Sequence, residues 1–225
     1  MNKITFTIDG HTVEVERGTT ILQAAHSLGI DIPTLCYHPD LSLHVSCRVC
    51  MVEDVRSGRL LASCATEAAE GMEISTRSSR ARRARRRNVE LLLANHPRDC
   101  LSCYRNGSCE LQDITFRLGV TKEDVDRLRG EQRSFPDDET GPALRREPNK
   151  CILCGRCVRA CEEIQGIAAL GFAGRGFNSI VTTAFDLPLS EINCANCGQC
   201  SAVCPVGAIT EVSEINAVWR ALEDR

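Results

Sequence analysis

Fifteen cysteines stand in a chain of 225 residues, and their spacing sorts them into four groups. Cys36, Cys47, Cys50 and Cys64 make the first. Cys100, Cys103 and Cys109 make the second, with His96 just upstream. Cys151, Cys154, Cys157 and Cys161 make the third, and Cys194, Cys197, Cys200 and Cys204 the fourth. No cysteine is left over, and His96 completes the one group of three. In a chain with no hydrophobic signal core at its start, such clustered thiols read as metal ligands rather than disulfide partners. Zinc also takes C-x2-C pairs, but its structural sites use two separated pairs.

The third and fourth groups are an internal repeat, C-x2-C-x2-C-x3-C, with Pro205 after the last cysteine. This is the bacterial ferredoxin spacing for paired [4Fe–4S] clusters, in which the fourth cysteine of each run ligates the other cluster. The expected sets are therefore Cys151, Cys154, Cys157 and Cys204 for one [4Fe–4S] cluster, and Cys161, Cys194, Cys197 and Cys200 for another. Glu162 stands where the first copy would carry its proline, which shapes a turn and is not a ligand.

The elements that must position these groups follow from hydropathy patterning. Ile4, Phe6 and Ile8 alternate, Asp9-Gly10 is a hairpin signal, and Val13 and Val15 alternate again. A helix is expected over Thr20–Leu28, with Ile21, Leu22, Ala25 and Leu28 on one face and Gly29 as its stop. Strands are expected within Arg48–Val55, Leu60–Ala62 and Met72–Ser75. Hairpin, helix and further strands suggest a β-grasp ferredoxin whose loops carry a [2Fe–2S] cluster on Cys36, Cys47, Cys50 and Cys64. The spacing C-x10-C-x2-C-x13-C departs from the plant-type start. Cys36-Tyr37-His38 hints at a Rieske centre, but Cys47 and Cys50 bring no matching histidine, so that is rejected, and His38 and His44 read as surface residues or neighbours of the ligands.

The second group reads H-x3-C-x2-C-x5-C. A helix over Ser79–Asn95 should end before His96, because Pro97 disfavours a helical residue ahead of it. That leaves His96 in one loop with Cys100, Cys103 and Cys109, a donor set for a third [4Fe–4S] cluster. Neutral imidazole in place of an anionic thiolate by itself raises a cluster's potential.

The run His96-Pro97-Arg98-Asp99-Cys100-Leu101-Ser102-Cys103, with Gly107-Ser108-Cys109-Glu110-Leu111-Gln112, resembles the histidine-ligated cluster motif of two related groups. These are the large iron–sulfur subunit of NADH dehydrogenase (complex I) and the N-terminal half of [FeFe]-hydrogenases. The module order is similar too, and so is Lys150-Cys151-Ile152-Leu153-Cys154-Gly155-Arg156-Cys157. No cysteine follows Cys204, so the resemblance implies wiring without a catalytic H-cluster domain. It further implies a flavin-containing, NAD(P)H-oxidising partner, a small [2Fe–2S] subunit, and a separate catalytic subunit of hydrogenase or formate dehydrogenase type. An electron-bifurcating assembly is among those the resemblance implies.

The fold class expected is α+β and multi-module: a β-grasp [2Fe–2S] domain (1–78), a histidine-ligated [4Fe–4S] module (79–120), a polar linker (121–148), a 2[4Fe–4S] ferredoxin-like domain (149–211) and a C-terminal helix (212–225). That helix carries Val212, Ile215, Val218, Trp219 and Leu222, for core packing or docking. Arg77, Arg80, Arg82, Arg83, Arg85, Arg86 and Arg87 form a basic run at the second module's start. It reads as a solvated helix face, with partner docking as the functional alternative; no interleaved aromatics support nucleic acid. Cations sit poorly at a helix N-terminus, which argues for a later helix start. Gly171–Gly176 does not fit G-x-G-x-x-G and serves as a turn.

No residue stands out as a general acid, base or nucleophile. A net charge of −3 gives no global pull toward nucleic acid or membrane, no run is long enough to span a bilayer, and the expected compartment is the cytoplasm. The reading is an electron-wire subunit, set against a freestanding multi-cluster carrier and a zinc-stabilised scaffold or nucleic-acid module. Anaerobically purified protein is expected to be brown, with iron and acid-labile sulfide in matching amounts. Colourless protein with stoichiometric zinc would restore the scaffold.

Overall fold

The computed structural model of the chain describes residues 3–224. β1 (Lys3–Ile8) and β2 (His11–Glu16) form the expected hairpin, with Asp9 and Gly10 both at positive φ. α1 (Ile21–Ser27) follows a reciprocal cap, in which Thr20 accepts from the Gln23 amide and Gln23 from the Thr20 amide. β3 (Met51–Asp54), β4 (Arg59–Ala62) and β5 (Glu73–Ser75) complete a five-stranded mixed sheet ordered β2-β1-β5-β3-β4. β5 inserts parallel to β1, with Ile8 opposite Ile74. Ile4, Phe6 and Ile8 pack with Ile21, Leu22, Val52 and Ile74 in one core. This is a β-grasp architecture, and the Cys36–Cys50 loop enters the sheet through β3.

α2 (Ser79–Ala94) starts within the basic run, not after it. Ser78 caps it by accepting from the Ala81 amide at 3.1 Å. Carboxylates offset several of the cations: Arg80 pairs with Glu53 of β3 and Arg86 with Asp124, while Glu90 of the helix itself pairs with Arg86 and Arg87. Arg85 is buried with Ala81 and Val89, so the run is not uniformly a solvated face. α3 (Glu110–Arg117) follows Cys109.

The segment read as a linker has structure of its own. α4 (Lys122–Asp126) carries a Thr121–Asp124 capping box. β6 (Leu144–Arg146) pairs antiparallel with β9 (Ile209–Glu211), the strand that follows the last cysteine. Between them Asp138, 8% exposed, meets Arg146, 6% exposed, at 2.9 Å. Asp138 also accepts from the Leu189 and Thr140 amides and the Thr140 hydroxyl. Burial pushes its carboxyl up, but these hydrogen bonds outweigh burial and hold it below the usual range.

The rest of the third module holds α5 (Arg156–Arg159), a π-helical turn (Ala160–Ile164), the hairpin of β7 (Gly171–Ala173) and β8 (Ile180–Thr182), and α6 (Gln199–Ala202). α7 (Ile215–Glu223) begins three residues later than expected. Its apolar face is not core: Ile215, Val218, Trp219 and Leu222 are all exposed, Trp219 by 61%. One apolar cluster instead joins the three modules. It holds Leu35, Cys36 and Val49 from the first, Val89, Leu111 and Ile114 from the second, and Ile152, Cys154, Cys204, Val206 and Ala208 from the third.

Removing one member of a buried ion pair strands the other, at a cost of about 3–5 kcal/mol. Asp138→Ala is therefore expected to lower the free energy of unfolding, measured by guanidinium titration at neutral pH, by that amount. The Asp138 contribution fades as pH falls through its depressed folded value, so wild type and variant should converge in acid.

Candidate metal-cluster sites

In the first module the sulfurs come together in two pairs. Cys50 and Cys64 lie 3.3 Å apart, sulfur to sulfur, and share a hydrogen bond. That contact drives the Cys50 thiol down to about 6 and the Cys64 thiol up. A matching contact with Cys47 drives Cys36 down to about 5 and Cys47 up. The charge on Cys36 is felt at both Cys50 and Cys64, so the pairs face one another. Two thiolate-forming pairs facing each other suit a two-iron centre. Val45 and Arg48 in the same loop hold positive φ, which is strained for a β-branched residue such as Val45 and marks a tightly determined loop.

Beside this site Arg85 donates from Nε to the Met51 carbonyl at 2.7 Å, one residue from Cys50. Its Nη2 is buried without a hydrogen-bond partner among the described residues. Burial holds its pKa down, and the charge at Cys50 is the largest opposing influence. A buried cation with a free donor fits an anionic centre at these cysteines.

The third module builds two cavities, each ringed by four of its cysteines. One is lined by Cys151, Cys154, Cys157 and Cys204 with Ile152, Val181, Val206 and Ala208. The other is lined by Cys161, Cys194, Cys197 and Cys200 with Leu144, Ile167, Leu170 and Leu189. Each takes three sulfurs from its own copy and one from the other. The backbones match as well. Leu153 and Asn196 stand at φ 55° and 52°, and Gly155 and Gly198 at 68° and 78°. These paired left-handed positions turn an amide back onto the first sulfur: Leu153 donates to Cys151 and Asn196 to Cys194, each at 3.4 Å. Burial pushes the Cys151 thiol up to about 11 and those of Cys154 and Cys200 to about 12. Among the described residues no group of three His, Cys, Asp or Glu converges as a single ion requires. Four sulfurs lining an apolar cavity are the kind of donor set a cubane takes.

His96 follows α2 as expected. Burial pushes its imidazole down to about 4, so it is neutral with a lone pair to give, and its Nδ1 has no hydrogen-bond partner among the described residues. Burial raises Cys109, and Cys103 and Cys100 are the sulfurs acting on it. Lys150, 5% exposed, ion-pairs with Glu147 at 2.5 Å and Asp99 at 3.3 Å, and its charge reaches both His96 and Cys103.

Sequence reasoning missed the residues that join the sites. Gly207 leaves no room for a Cβ, which would stand 2.7 Å from the Cys103 sulfur. His44 stacks on Phe172 with centroids 5.3 Å apart, so it packs between modules. Arg85 did carry a signal: Ala81, Arg85 and Val89 recur every four residues on the buried face of α2.

Three modules of clustered cysteines joined by one apolar core define a multicentre iron–sulfur protein of ferredoxin-like build. Residues 1–79 match the 2Fe-2S iron-sulfur cluster binding domain. Residues 85–124 match the NADH-ubiquinone oxidoreductase-G iron-sulfur binding region, and 141–210 the ferredoxin-like domain of NADH-quinone oxidoreductase subunit 3. The chain is 43% identical over 227 residues to NADP-reducing hydrogenase subunit HndD of Solidesulfovibrio fructosivorans, covering 99% of this chain and 38% of that protein. It is 40% identical over 204 residues to the mitochondrial NADH dehydrogenase (ubiquinone) iron-sulfur protein 1 of Solanum tuberosum, covering 90% of this chain and 27% of that protein. It thus spans well under half the length of these curated relatives. A chain in the crystal structure of an NAD+-reducing [NiFe]-hydrogenase in the H2-reduced state superimposes with TM-score 0.85 at 35% identity, covering 93% of this chain and 88% of that one. The chain belongs to the family of iron–sulfur subunits shared by NADH-quinone oxidoreductases and NAD(P)-linked hydrogenases.

Gly207→Ala is expected to displace the Cys103 loop. Iron analysis with electron paramagnetic resonance (EPR) should show loss of the cluster signal of the His96 module, with the [2Fe–2S] signal retained.

Proposed function

We propose that this chain relays single electrons through one [2Fe–2S] and three [4Fe–4S] clusters, between a flavin-containing, NAD(P)H-oxidising partner and a separate catalytic subunit of hydrogenase or formate dehydrogenase type. A small [2Fe–2S] subunit is a further expected partner. The proposed ligands are Cys36, Cys47, Cys50 and Cys64; His96, Cys100, Cys103 and Cys109; Cys151, Cys154, Cys157 and Cys204; and Cys161, Cys194, Cys197 and Cys200. The observation that carries this reading is the common core, in which Cys36, Cys154 and Cys204 pack beside Val89, Leu111 and Ile114. Sites gathered on one core suit passage of electrons between them; isolated structural metals have no need of it.

Each bound cluster supplies a one-electron couple. The chain's own residues set the surroundings. Apolar walls exclude water. The Leu153, Ala169 and Asn196 amides donate to the sulfurs of Cys151, Cys161 and Cys194, withdrawing negative charge and favouring the reduced state. Lys150, whose ion pair with Glu147 keeps it charged against the pull of burial, acts in the same direction at the His96 site. No described helix is long and apolar enough to cross a membrane.

Anaerobic affinity purification from native cells, followed by mass spectrometry, tests the reading. Stoichiometric recovery of a flavoprotein and a catalytic hydrogenase or formate dehydrogenase subunit is expected. A brown protein recovered alone after gentle handling would favour a freestanding carrier.

A further inference from the structure

The two copies of the cysteine repeat share a backbone but not their side chains. Gly155-Arg156-Cys157-Val158-Arg159-Ala160-Cys161 aligns with Gly198-Gln199-Cys200-Ser201-Ala202-Val203-Cys204. Arg156 thus corresponds to Gln199, and Arg159 to Ala202. Both arginines of the first copy are buried, whereas Ala202 is exposed. Each arginine leaves its own module. Arg156 meets Glu110, the residue after Cys109, at 2.6 Å. Arg159 turns the other way, toward the first module.

Arg159 is 7% exposed, and every acceptor its guanidinium reaches is a backbone carbonyl. Nη2 donates to Cys36 O at 2.8 Å and to Cys154 O at 3.4 Å. Nε donates to Gly155 O at 3.2 Å, and Nη1 to Ser42 O. Ser42 is held from a second side, its amide donating to Glu163 at 2.9 Å. One planar fork therefore touches a cysteine of the [2Fe–2S] site and a cysteine of the Cys151/154/157/204 site at once. A guanidinium presents five donors in fixed geometry, which a lysine does not reproduce. Nothing in a ferredoxin repeat requires this contact, since the second copy does without it.

Resting on the electron-relay reading, we propose that Arg159 is a positioning residue for electron passage between the [2Fe–2S] centre and the Cys151/154/157/204 cluster. It locks the Cys36 and Cys154 loops at a fixed spacing and so sets the coupling between the two centres. Arg156 performs the corresponding docking toward the His96 module.

The test uses the full chain, purified anaerobically with its clusters. Iron, sulfide and EPR spin counts come first. If wild type lacks a [2Fe–2S] and multiple [4Fe–4S] signals, the relay reading itself fails, whatever the variants do. With those signals present, the fully reduced protein is examined for magnetic interaction between the [2Fe–2S] centre and its neighbour. Arg159→Gln is expected to lose this interaction, and to slow [2Fe–2S] re-equilibration after pulse-radiolytic reduction, with cluster content unchanged. Arg156→Gln should leave the interaction intact, and Arg159→Lys should be intermediate. An unchanged interaction and rate in fully loaded Arg159→Gln would overturn the proposal. If that variant loses its [2Fe–2S] centre, Arg159→Lys is read instead. Loss of the centre in both variants would mark Arg159 as structural only, and would also overturn it.

Discussion

A thiolate buried in an apolar cavity is unfavourable unless positive charge or hydrogen bonds stabilise it. This chain gathers such sulfurs in groups of three and four. Burial first, and then the charge of neighbouring sulfurs, drives Cys151, Cys154 and Cys200 toward the protonated thiol. Coordination to iron reverses that preference, which ties metal binding to folding. The same constraint accounts for the surroundings: amides turned onto sulfur by left-handed residues, Arg85 buried beside Cys50, and Lys150 buried where its charge reaches Cys103. It also explains how a chain with only 4% aromatic residues holds three small modules together. Each centre is a staple that its modest core does not provide.

Symmetry and its breaking divide the labour within the ferredoxin module. Backbone conformation repeats at Leu153 and Asn196 and at Gly155 and Gly198, because the same loop must wrap the same kind of cavity. Side chains do not repeat. The first copy turns Arg156 and Arg159 outward to its two neighbours; the second carries Gln199 and Ala202 and leaves Cys197 exposed. One cavity is thus surrounded by the other modules and the other faces away from them, an inner and an outer position in a single repeat.

Polar residues do comparable work outside the cavities. The segment 121–148 has the composition of a linker, yet the fully hydrogen-bonded Asp138–Arg146 pair and the β6–β9 ladder brace the outer cavity, whose wall includes Leu144 and Arg146. α7 is the opposite case: its apolar stripe has the pattern of a core helix, but Ile215, Val218, Trp219 and Leu222 are left exposed.

Much of the site was legible in the sequence because local spacing and local geometry carry it. C-x2-C-x2-C-x3-C fixes which sulfurs share a loop, Asp9-Gly10 fixes a hairpin, and Gly29 fixes a helix stop. These are short-range constraints, each decided within a few residues. What stayed hidden depends on residues far apart in the chain. Arg159 finds Cys36 across 123 positions, Gly207 has no room because Cys103 lies against it, and Asp138 turns a polar stretch into a brace only when Arg146 and Leu189 arrive beside it. Sequence determined which cysteines share a loop. Tertiary structure alone decided how the sites face one another, because a hydrogen bond or steric contact between modules leaves no periodic trace in either partner.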